Sequence, residues 1–198
     1  LEGALAAFED KFSQYFDKLK WVNFGGGHHI TRVDYDVEGL IKLLKDFRSR
    51  YPHLKVYLEP GEAIGWQTGY LVGTVLDVIN NGMDLVILDT SAEAHMPDTL
   101  AMPYRAMVRN SGLALEKKYT YRLGGNTCLA GDIIGDYSFD KPLEVGDKII
   151  FEDMIHYTMV KTTTFNGIKL PSIVIKHDEN SYQIVKNFGY NDYKQRLS

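Results

Sequence analysis

The sequence predicts a parallel α/β segment over residues 1–64, followed by an antiparallel β domain over residues 65–198. The first observation behind this prediction is a helix–strand–helix–strand rhythm across roughly the first sixty residues, which is typical of parallel α/β structure. The second is a change after Ile64, where strand-like apolar segments follow one another between turn signals. The third is composition, because 198 residues that are 44% hydrophobic and 24% charged supply enough apolar side chains for packed cores.

In the first segment, a helix is predicted over residues 3–19, because apolar side chains at positions 5, 8, 12, 16 and 19 recur at helical spacing. A short strand follows at 21–24 and ends in three glycines. Asp36 is a suitable cap for a second helix, which ends at Tyr51-Pro52 because the residue before a proline disfavours the α region. The next strand covers 55–58.

The second segment is read as a series of strands separated by turn signals such as Asn80-Asn81-Gly82. A short helix is expected within 99–109, and the polar tail after Phe188 is expected to be loosely ordered. The predicted strands cover 69–79, 83–90, 119–125, 147–154, 171–178 and 182–188.

Composition excludes several classes of function. Lys and Arg number 22 against 26 Asp and Glu, so the chain has no basic excess with which to bind nucleic acid. No apolar run approaches the ~20 residues that span a bilayer, so no membrane partner is expected. The single cysteine excludes an intrachain disulfide framework and favours a reducing, cytoplasmic location.

The predicted α/β segment has unprotected sheet edges. Two strands and two helices cannot cover both edges, so either another chain or the remainder of a larger fold is expected to cover them. The chain opens Leu1-Glu2-Gly3-Ala4, with neither Met nor a secretory leader, which predicts that it is part of a longer protein.

Two loops at the ends of these strands contain candidate functional residues. Gly25, Gly26 and Gly27 follow the first strand, and without Cβ atoms their backbone N–H groups can approach a phosphate closely. A tight strand-to-loop turn is the alternative, and spacing alone favours it because short glycine runs are common. Glu59-Pro60-Gly61-Glu62 follows the second strand. Its two acids can hold a cationic group or a ring nitrogen, or they can be a solvated turn.

The β domain offers two further candidates. Cys128 lies in the glycine-rich segment GGNTCLAGD, where it is either a small buried apolar residue or a functional thiol. Tyr157 precedes TTTFNG, although 13 tyrosines make this one unremarkable from composition alone. No metal site is predicted, because the adjacent His28 and His29 side chains would diverge on a strand and no cluster has metal-ligand spacing.

Taken in order, the GGG and EPG loops, the cysteine loop and the tyrosine before TTTFNG resemble the fold-type III PLP-dependent decarboxylases. This alanine racemase-like group includes the ornithine and diaminopimelate decarboxylases. Within it, the segments WVNFGGGHHIT, YLEPGEA, LDTSAEAHMPDTLAMPYR and GGNTCLAGD look most like the carboxynorspermidine/carboxyspermidine decarboxylases of polyamine biosynthesis. The resemblance implies a lyase that decarboxylates a small polyamine amino acid with pyridoxal 5'-phosphate (PLP).

The resemblance also implies an architecture. Residues 1–64 would be the last part of a (β/α)8 TIM-like barrel, and residues 65–198 would be the C-terminal antiparallel β-barrel or sandwich domain. The lysine that forms the Schiff base with PLP would lie in an N-terminal segment of the same protein that precedes this sequence. A homodimer is expected, since Cys128 would reach into the site of the neighbouring subunit.

Each site residue takes a role from the resemblance. Gly25, Gly26 and Gly27 would donate backbone N–H groups to the PLP phosphate, and Tyr157 would add its hydroxyl. Glu59 would pair with the pyridine nitrogen and keep it protonated, so that the ring serves as an electron sink. Cys128 would return a proton to the carbon that has lost CO2.

One departure from the family concerns the residue after EPG, which is Arg in ornithine and diaminopimelate decarboxylases and Glu62 here. An acid beside an anionic cofactor requires a cation, and a substrate with several ammonium groups would provide it. Glu62 is therefore assigned to the substrate amines, with Asp98 as a second candidate and Asp132 and His28 as weaker ones. The alternatives are a decarboxylase of the diaminopimelate or ornithine type and a catalytically silent homologue that acts as a binding partner.

Overall fold

The computed structural model describes residues 1–197, which form two compact units, Leu1–Trp66 and a second unit from Gln67 onward. The first unit contains helices α1 (Glu2–Phe12), α2 (Val37–Arg50) and α3 (Gly61–Gly65) and strands β1 (Trp21–Asn23) and β2 (Lys55–Tyr57). Strands β1 and β2 pair in parallel, with Val22 opposite Val56. Because both strands run in the same direction, the loops that follow them lie at the same edge of the sheet.

The helices of the first unit follow the sequence pattern closely. Asp36 caps α2 as predicted, since its Oδ1 accepts the Gly39 N–H at 2.8 Å, and α2 ends before Tyr51. The predicted helix over 3–19 instead changes at Ser13 into a 3-10 turn that continues to Lys18. This turn places Phe16 in the core, where its ring lies 4.7 Å from that of Tyr51. The buried side chains of this core are Leu5, Phe16, Val22, Phe47 and Leu54.

The second unit is built on a five-stranded sheet with the order β6-β5-β4-β3-β7. These strands are β3 (Tyr70–Asn80), β4 (Asp84–Leu88), β5 (Tyr119–Gly124), β6 (Ile133–Phe139) and β7 (Lys148–Glu152). The β4–β5 pair is parallel and the other pairs are antiparallel, so the sheet is mixed rather than purely antiparallel as expected. A parallel pair requires a crossover, and the long connection between Leu88 and Tyr119 provides it.

The crossover contains two short helices, α4 (Ala92–His95) and α5 (Asp98–Ala101), instead of the single helix expected within 99–109. Ser91 caps the N-terminus of α4, since its Oγ accepts the Ala94 N–H at 3.0 Å. Strand β6 was not predicted, because Gly135 interrupts its apolar pattern. After β7 the chain forms α6 (Tyr157–Val160) and a 3-10 turn at Phe165–Gly167.

The last part of the chain is more ordered than expected. Strands β8 (Ile173–Lys176) and β9 (Tyr182–Lys186) form a separate antiparallel hairpin, as predicted for this pair. Helix α7 (Tyr190–Leu197) follows in the tail that was expected to be loosely ordered, and Asp192 Oδ2 accepts the Gly189 N–H at its start. Among residues 1–197, no helix combines the length and apolar character needed to cross a membrane.

Candidate active site

The glycine loop after β1 requires glycine at each of its three positions. Gly25 and Gly27 have φ angles of 70° and 80°, in the left-handed region that favours glycine. A Cβ at Gly26 would lie 2.7 Å from the carbonyl oxygen of Glu59. Gly26 and Gly27 are exposed, and backbone amides without a neighbouring Cβ suit a phosphate, so the loop fits the chemistry of an anion site.

Asn23 joins the glycine loop to Glu59. Its Oδ1 accepts the Gly25 N–H at 2.8 Å, and its Nδ2 donates to Glu59 Oε1 at 2.6 Å. The Glu59 N–H also donates to the Gly25 carbonyl at 2.8 Å. Gly25 and Glu59 thus meet directly, and the strand-end position of Asn23 was the only sequence signal for its role.

Glu62 lies in the first turn of α3 beside His29, which was considered from the sequence only as a metal ligand. His29 Nε2 is 3.0 Å from Glu62 Oε2, and the His29 ring stacks on Trp66 with 5.5 Å between ring centroids. The carboxylate of Glu62 remains about half exposed. It therefore contacts the His29 imidazole and is also open to a ligand.

His28 differs from His29 in being buried. Its ring Nδ1 is 3.5 Å from the Tyr35 hydroxyl, and its Nε2 is covered and has no hydrogen-bond partner among the described residues. Because its Nε2 is covered, a substrate reaches this atom only if the surrounding residues move. This geometry favours the structural role that the sequence left open for His28.

Asp132 is the most highly bonded carboxylate of the second unit. It is 5% exposed, and its oxygens accept hydrogen bonds from two chain segments. Around the start of α4, the Ser91 hydroxyl and the Ala92 N–H donate at 2.9 Å and 2.8 Å, and the Glu93 N–H donates at 3.3 Å. In the cysteine loop, the Thr127 hydroxyl donates at 2.6 Å. Asp132 therefore joins these segments, which leaves it little capacity for a substrate amine.

Cys128 is exposed and directly follows Thr127. Its backbone N–H donates to Asn166 Oδ1 at 2.9 Å. Asn166 belongs to the 3-10 turn and has a φ of 61°, a conformation that Asn tolerates better than most residues. The Asn-Gly pair in TTTFNG was a signal for this turn, but it did not indicate the contact with Cys128.

Tyr157 and Asp98 lie on either side of Lys161. Lys161 Nζ is 2.7 Å and 3.0 Å from the two carboxylate oxygens of Asp98, and it lies 4.8 Å from the centre of the Tyr157 ring. Tyr157 itself is exposed. Asp98 therefore already has a cationic partner, which the sequence analysis missed because the two residues are far apart along the chain.

His95, in α4, connects the segment after Lys161 to the β4–α4 junction. Its Nδ1 lies 3.0 Å from the Thr90 hydroxyl oxygen, and its Nε2 lies 3.2 Å from the Lys169 carbonyl oxygen. Burial lowers the pKa of His95, which is 1% exposed. The neutral ring donates from Nε2 to Lys169 and accepts at Nδ1.

The predicted site residues are divided between the two units. The first group is Gly25, Gly26, Gly27, His28, Glu59 and Glu62, and the second is Asp98, Cys128, Asp132 and Tyr157. Among residues 1–197, no cluster of three or more His, Cys, Asp or Glu side chains could hold a metal ion.

Comparison with known proteins identifies similar sequences and structures. The family model described as "Pyridoxal-dependent decarboxylase, C-terminal sheet domain" matches residues 16–155. A Campylobacter jejuni protein named carboxynorspermidine/carboxyspermidine decarboxylase is 52% identical over 99% of this chain, which covers 54% of that relative. A Synechocystis protein named carboxyaminopropylagmatine decarboxylase is 48% identical over the whole chain, which covers 51% of it.

A solved structure is similarly close. The crystal structure of carboxynorspermidine decarboxylase from Campylobacter jejuni, complexed with norspermidine, superposes with a TM-score of 0.91 at 52% identity. The superposition covers 98% of this chain and 56% of that one. These matches confirm the predicted fold class, and they place the present chain at about half the length of the curated relatives.

Proposed function

The chain belongs to the pyridoxal-dependent decarboxylase family, and from this premise we propose that it is the C-terminal part of a polyamine-forming decarboxylase. Its substrate would be carboxynorspermidine or carboxyspermidine, and its products norspermidine or spermidine and CO2. The observation that carries this proposal is the 52% identity, over 99% of this chain, to a relative named for that activity. The first unit would be the end of the PLP-binding barrel, and the second the β domain.

The residues present fit PLP. The backbone amides of Gly26 and Gly27 would bind its phosphate and Glu59 would pair with its ring nitrogen, whereas the Gly25 N–H already donates to Asn23 Oδ1. The resemblance assigns the Tyr157 hydroxyl to the same phosphate. When bound, PLP supplies a ring that accepts the electron pair released as CO2 leaves. Asn23 orients both Gly25 and Glu59, so a single side chain sets the spacing between the phosphate loop and the ring-nitrogen partner.

Cys128 would complete the reaction by donating its Sγ proton to the carbon that has lost CO2. A thiol suits this step, because its S–H is a proton donor that a positioned side chain can deliver to a reacting carbon. Cys128 is exposed, as a residue that serves another subunit needs to be. We therefore include a homodimer in the proposal, with Cys128 acting in the site of the neighbouring subunit.

Glu62 would bind an ammonium group of the substrate. Its carboxylate is about half exposed beside His29, and at neutral pH a polyamine carries several positive charges. Asp98 would contribute to the same recognition only by exchanging Lys161 for a substrate ammonium, since Lys161 contacts both of its oxygens. Glu62 is therefore the stronger candidate.

A second candidate substrate is carboxyaminopropylagmatine, because the relative named for its decarboxylation is nearly as similar as the Campylobacter jejuni protein. Ornithine and diaminopimelate remain the more distant alternatives. Glu62 stands where their decarboxylases carry Arg, which argues against both.

The test is CO2 release by the full-length protein, loaded with PLP, from each of these amino acids in turn. We expect kcat/KM for one of the carboxylated polyamines to exceed that for ornithine and diaminopimelate by about a hundredfold or more. A preference for carboxyaminopropylagmatine would replace the first candidate by the second. Absence of both PLP absorbance and CO2 release would identify a silent homologue.

A further inference from the structure

The segment that contains Asn166 connects to the cysteine loop through one side chain. Asn166 Oδ1 accepts the Cys128 N–H at 2.9 Å, across 38 positions of sequence. A hydrogen bond to the backbone of Cys128 restrains the position of its Cα, and therefore of its thiol, without engaging the sulfur. The sulfur remains free to donate a proton.

The Asn166 segment is itself held at several points. The Thr163 N–H donates to the Ala94 carbonyl at 2.8 Å, and the Lys169 carbonyl lies 3.2 Å from His95 Nε2. Both anchors belong to α4. Asn166 therefore lies in a segment that is hydrogen-bonded to α4 both before it, at Thr163, and after it, at Lys169.

The same helix holds the other side of the cysteine loop. Asp132 accepts hydrogen bonds from Ser91 and Ala92 at the start of α4 and from Thr127. Gly125 allows this arrangement, because a Cβ there would lie 2.2 Å from Asp132 Oδ2. Two side chains, Asn166 and Asp132, therefore position the backbone on either side of the Thr127–Cys128 peptide from a common support.

We propose that Asn166 is a positioning residue for the proposed decarboxylation, and that its side chain holds Cys128 where the thiol delivers its proton. This inference rests on the proposed function, since it assigns the thiol a proton-transfer step. The loss of a positioning contact lowers the rate of the chemical step more than it weakens binding, because proton transfer depends on geometry to within about an ångström.

The test compares two variants in the full-length, PLP-loaded protein. Asn166→Gly removes the acceptor but keeps the backbone relaxed, because glycine adopts a φ of 61° without strain. Asn166→Asp retains an oxygen acceptor at the same place. Asn110→Gly is the matched control, since Asn110 also has a positive φ of 59° and lies in a different loop.

The expected result separates positioning from folding. Asn166→Gly lowers kcat about tenfold or more, while KM stays within about twofold of the wild-type value. Hydrogen–deuterium exchange in the peptide that contains Cys128 becomes faster in this variant and stays at the wild-type rate in Asn110→Gly. Asn166→Asp restores kcat at neutral pH.

Two results would overturn the inference while leaving the proposed function intact. One is wild-type kcat in Asn166→Gly. The other is a parallel loss of kcat, PLP affinity and melting temperature in both Asn166 variants, which would indicate a purely structural role. A wild-type protein that releases no CO2 from any of the candidate substrates would instead overturn the proposed function, and with it the proton-transfer role of Cys128.

Discussion

The two units of the molecule build their candidate sites in different ways. In the first unit, the essential features are backbone conformation and close approach: positive φ angles at Gly25 and Gly27 and the contact between Gly26 and Glu59. In the second, side chains far apart in sequence are joined by hydrogen bonds, with Asp132 and Asn166 on either side of Cys128. The first kind of site is sensitive to any added Cβ, and the second to the loss of particular acceptors.

The two units also differ in the hydrophobic core that supports their candidate sites. The first unit has a small, mainly aromatic core around Phe16 and Phe47, and its two-stranded sheet leaves Trp21 and Tyr57 exposed. The second packs a larger core on its five-stranded sheet. Two-stranded sheets are marginal without further packing. The polar network of the second unit is therefore backed by a larger core than the glycine loop of the first unit.

The largest expected effect is the loss of the buried acceptor of the second unit. Asp132→Ala leaves the Ser91 and Thr127 hydroxyls and nearby backbone N–H groups without their acceptor. The free energy of unfolding of the full-length protein should fall by about 3 kcal/mol or more, measured by urea denaturation without substrate. Asp140→Ala is the control, because Asp140 forms an exposed ion pair with Lys117 worth no more than about 1 kcal/mol. Equal effects of the two variants would contradict the structural role of Asp132.

The second-largest expected effect is a loss of PLP affinity when the glycine loop of the first unit is altered. Gly26→Ala places a Cβ against the Glu59 carbonyl, which forces the loop to shift. Overpacking of this kind costs about 1–3 kcal/mol, so PLP affinity, measured by titration of cofactor absorbance, should fall about tenfold to a hundredfold. Gly3→Ala in α1 is the control and should leave PLP affinity unchanged, since nothing lies within 4 Å of its added Cβ. Unchanged PLP affinity in Gly26→Ala would rule out this loop as the phosphate site.

At Glu62, which lies in the first unit and is assigned to substrate binding, a change in KM without a matching change in PLP affinity is expected. Glu62→Gln removes the charge while keeping the shape, so KM for the carboxylated polyamine should rise about tenfold. PLP affinity should change much less. Glu38→Gln, in the first turn of α2, is the matched control in the same unit. An equal loss of PLP affinity in Glu62→Gln would assign Glu62 to the cofactor and not to the substrate.

The smallest effect is a pH dependence of stability in the second unit. Burial lowers the pKa of His95 in the folded state below its ordinary value of 6.5, although the hydrogen bond to the Lys169 carbonyl and the charges of Asp132 and Asp89 partly oppose this shift. The unfolded chain then binds a proton that the folded chain does not. The contribution of His95 is therefore fully present above about pH 6.5 and is lost as the pH falls below this value.

The measurement for His95 is the urea midpoint at a series of pH values on either side of 6.5. His95→Gln should flatten the decline on the acidic side. His177→Gln, at an exposed histidine of β8–β9, is the control and should leave the decline as it is in the wild type. A decline that is identical in His95→Gln and the wild type would exclude His95 as its source.

Local sequence was sufficient for the elements and residues whose structure depends on near neighbours. The Asp36 cap, the end of α2 before Tyr51 and the glycine loop after β1 were all predicted from adjacent residues. Strand β6 was not predicted, because Gly135 breaks the alternation of its side chains. The parallel pairing of β4 and β5 was not predicted either, because the direction of β5 depends on a crossover of about thirty residues.

By itself, the sequence determined which residue types stand at the strand ends and loops, and so indicated the family, the cofactor and the candidate site residues. Only the tertiary structure decided the partners of those residues: His29 for Glu62, Lys161 for Asp98, and the cysteine loop for Asp132 and Asn166. The physical reason is the distance along the chain over which each kind of interaction acts. Backbone preferences and apolar periodicity act between neighbours along the chain, whereas a hydrogen bond between residues 128 and 166 exists only after the intervening chain has folded.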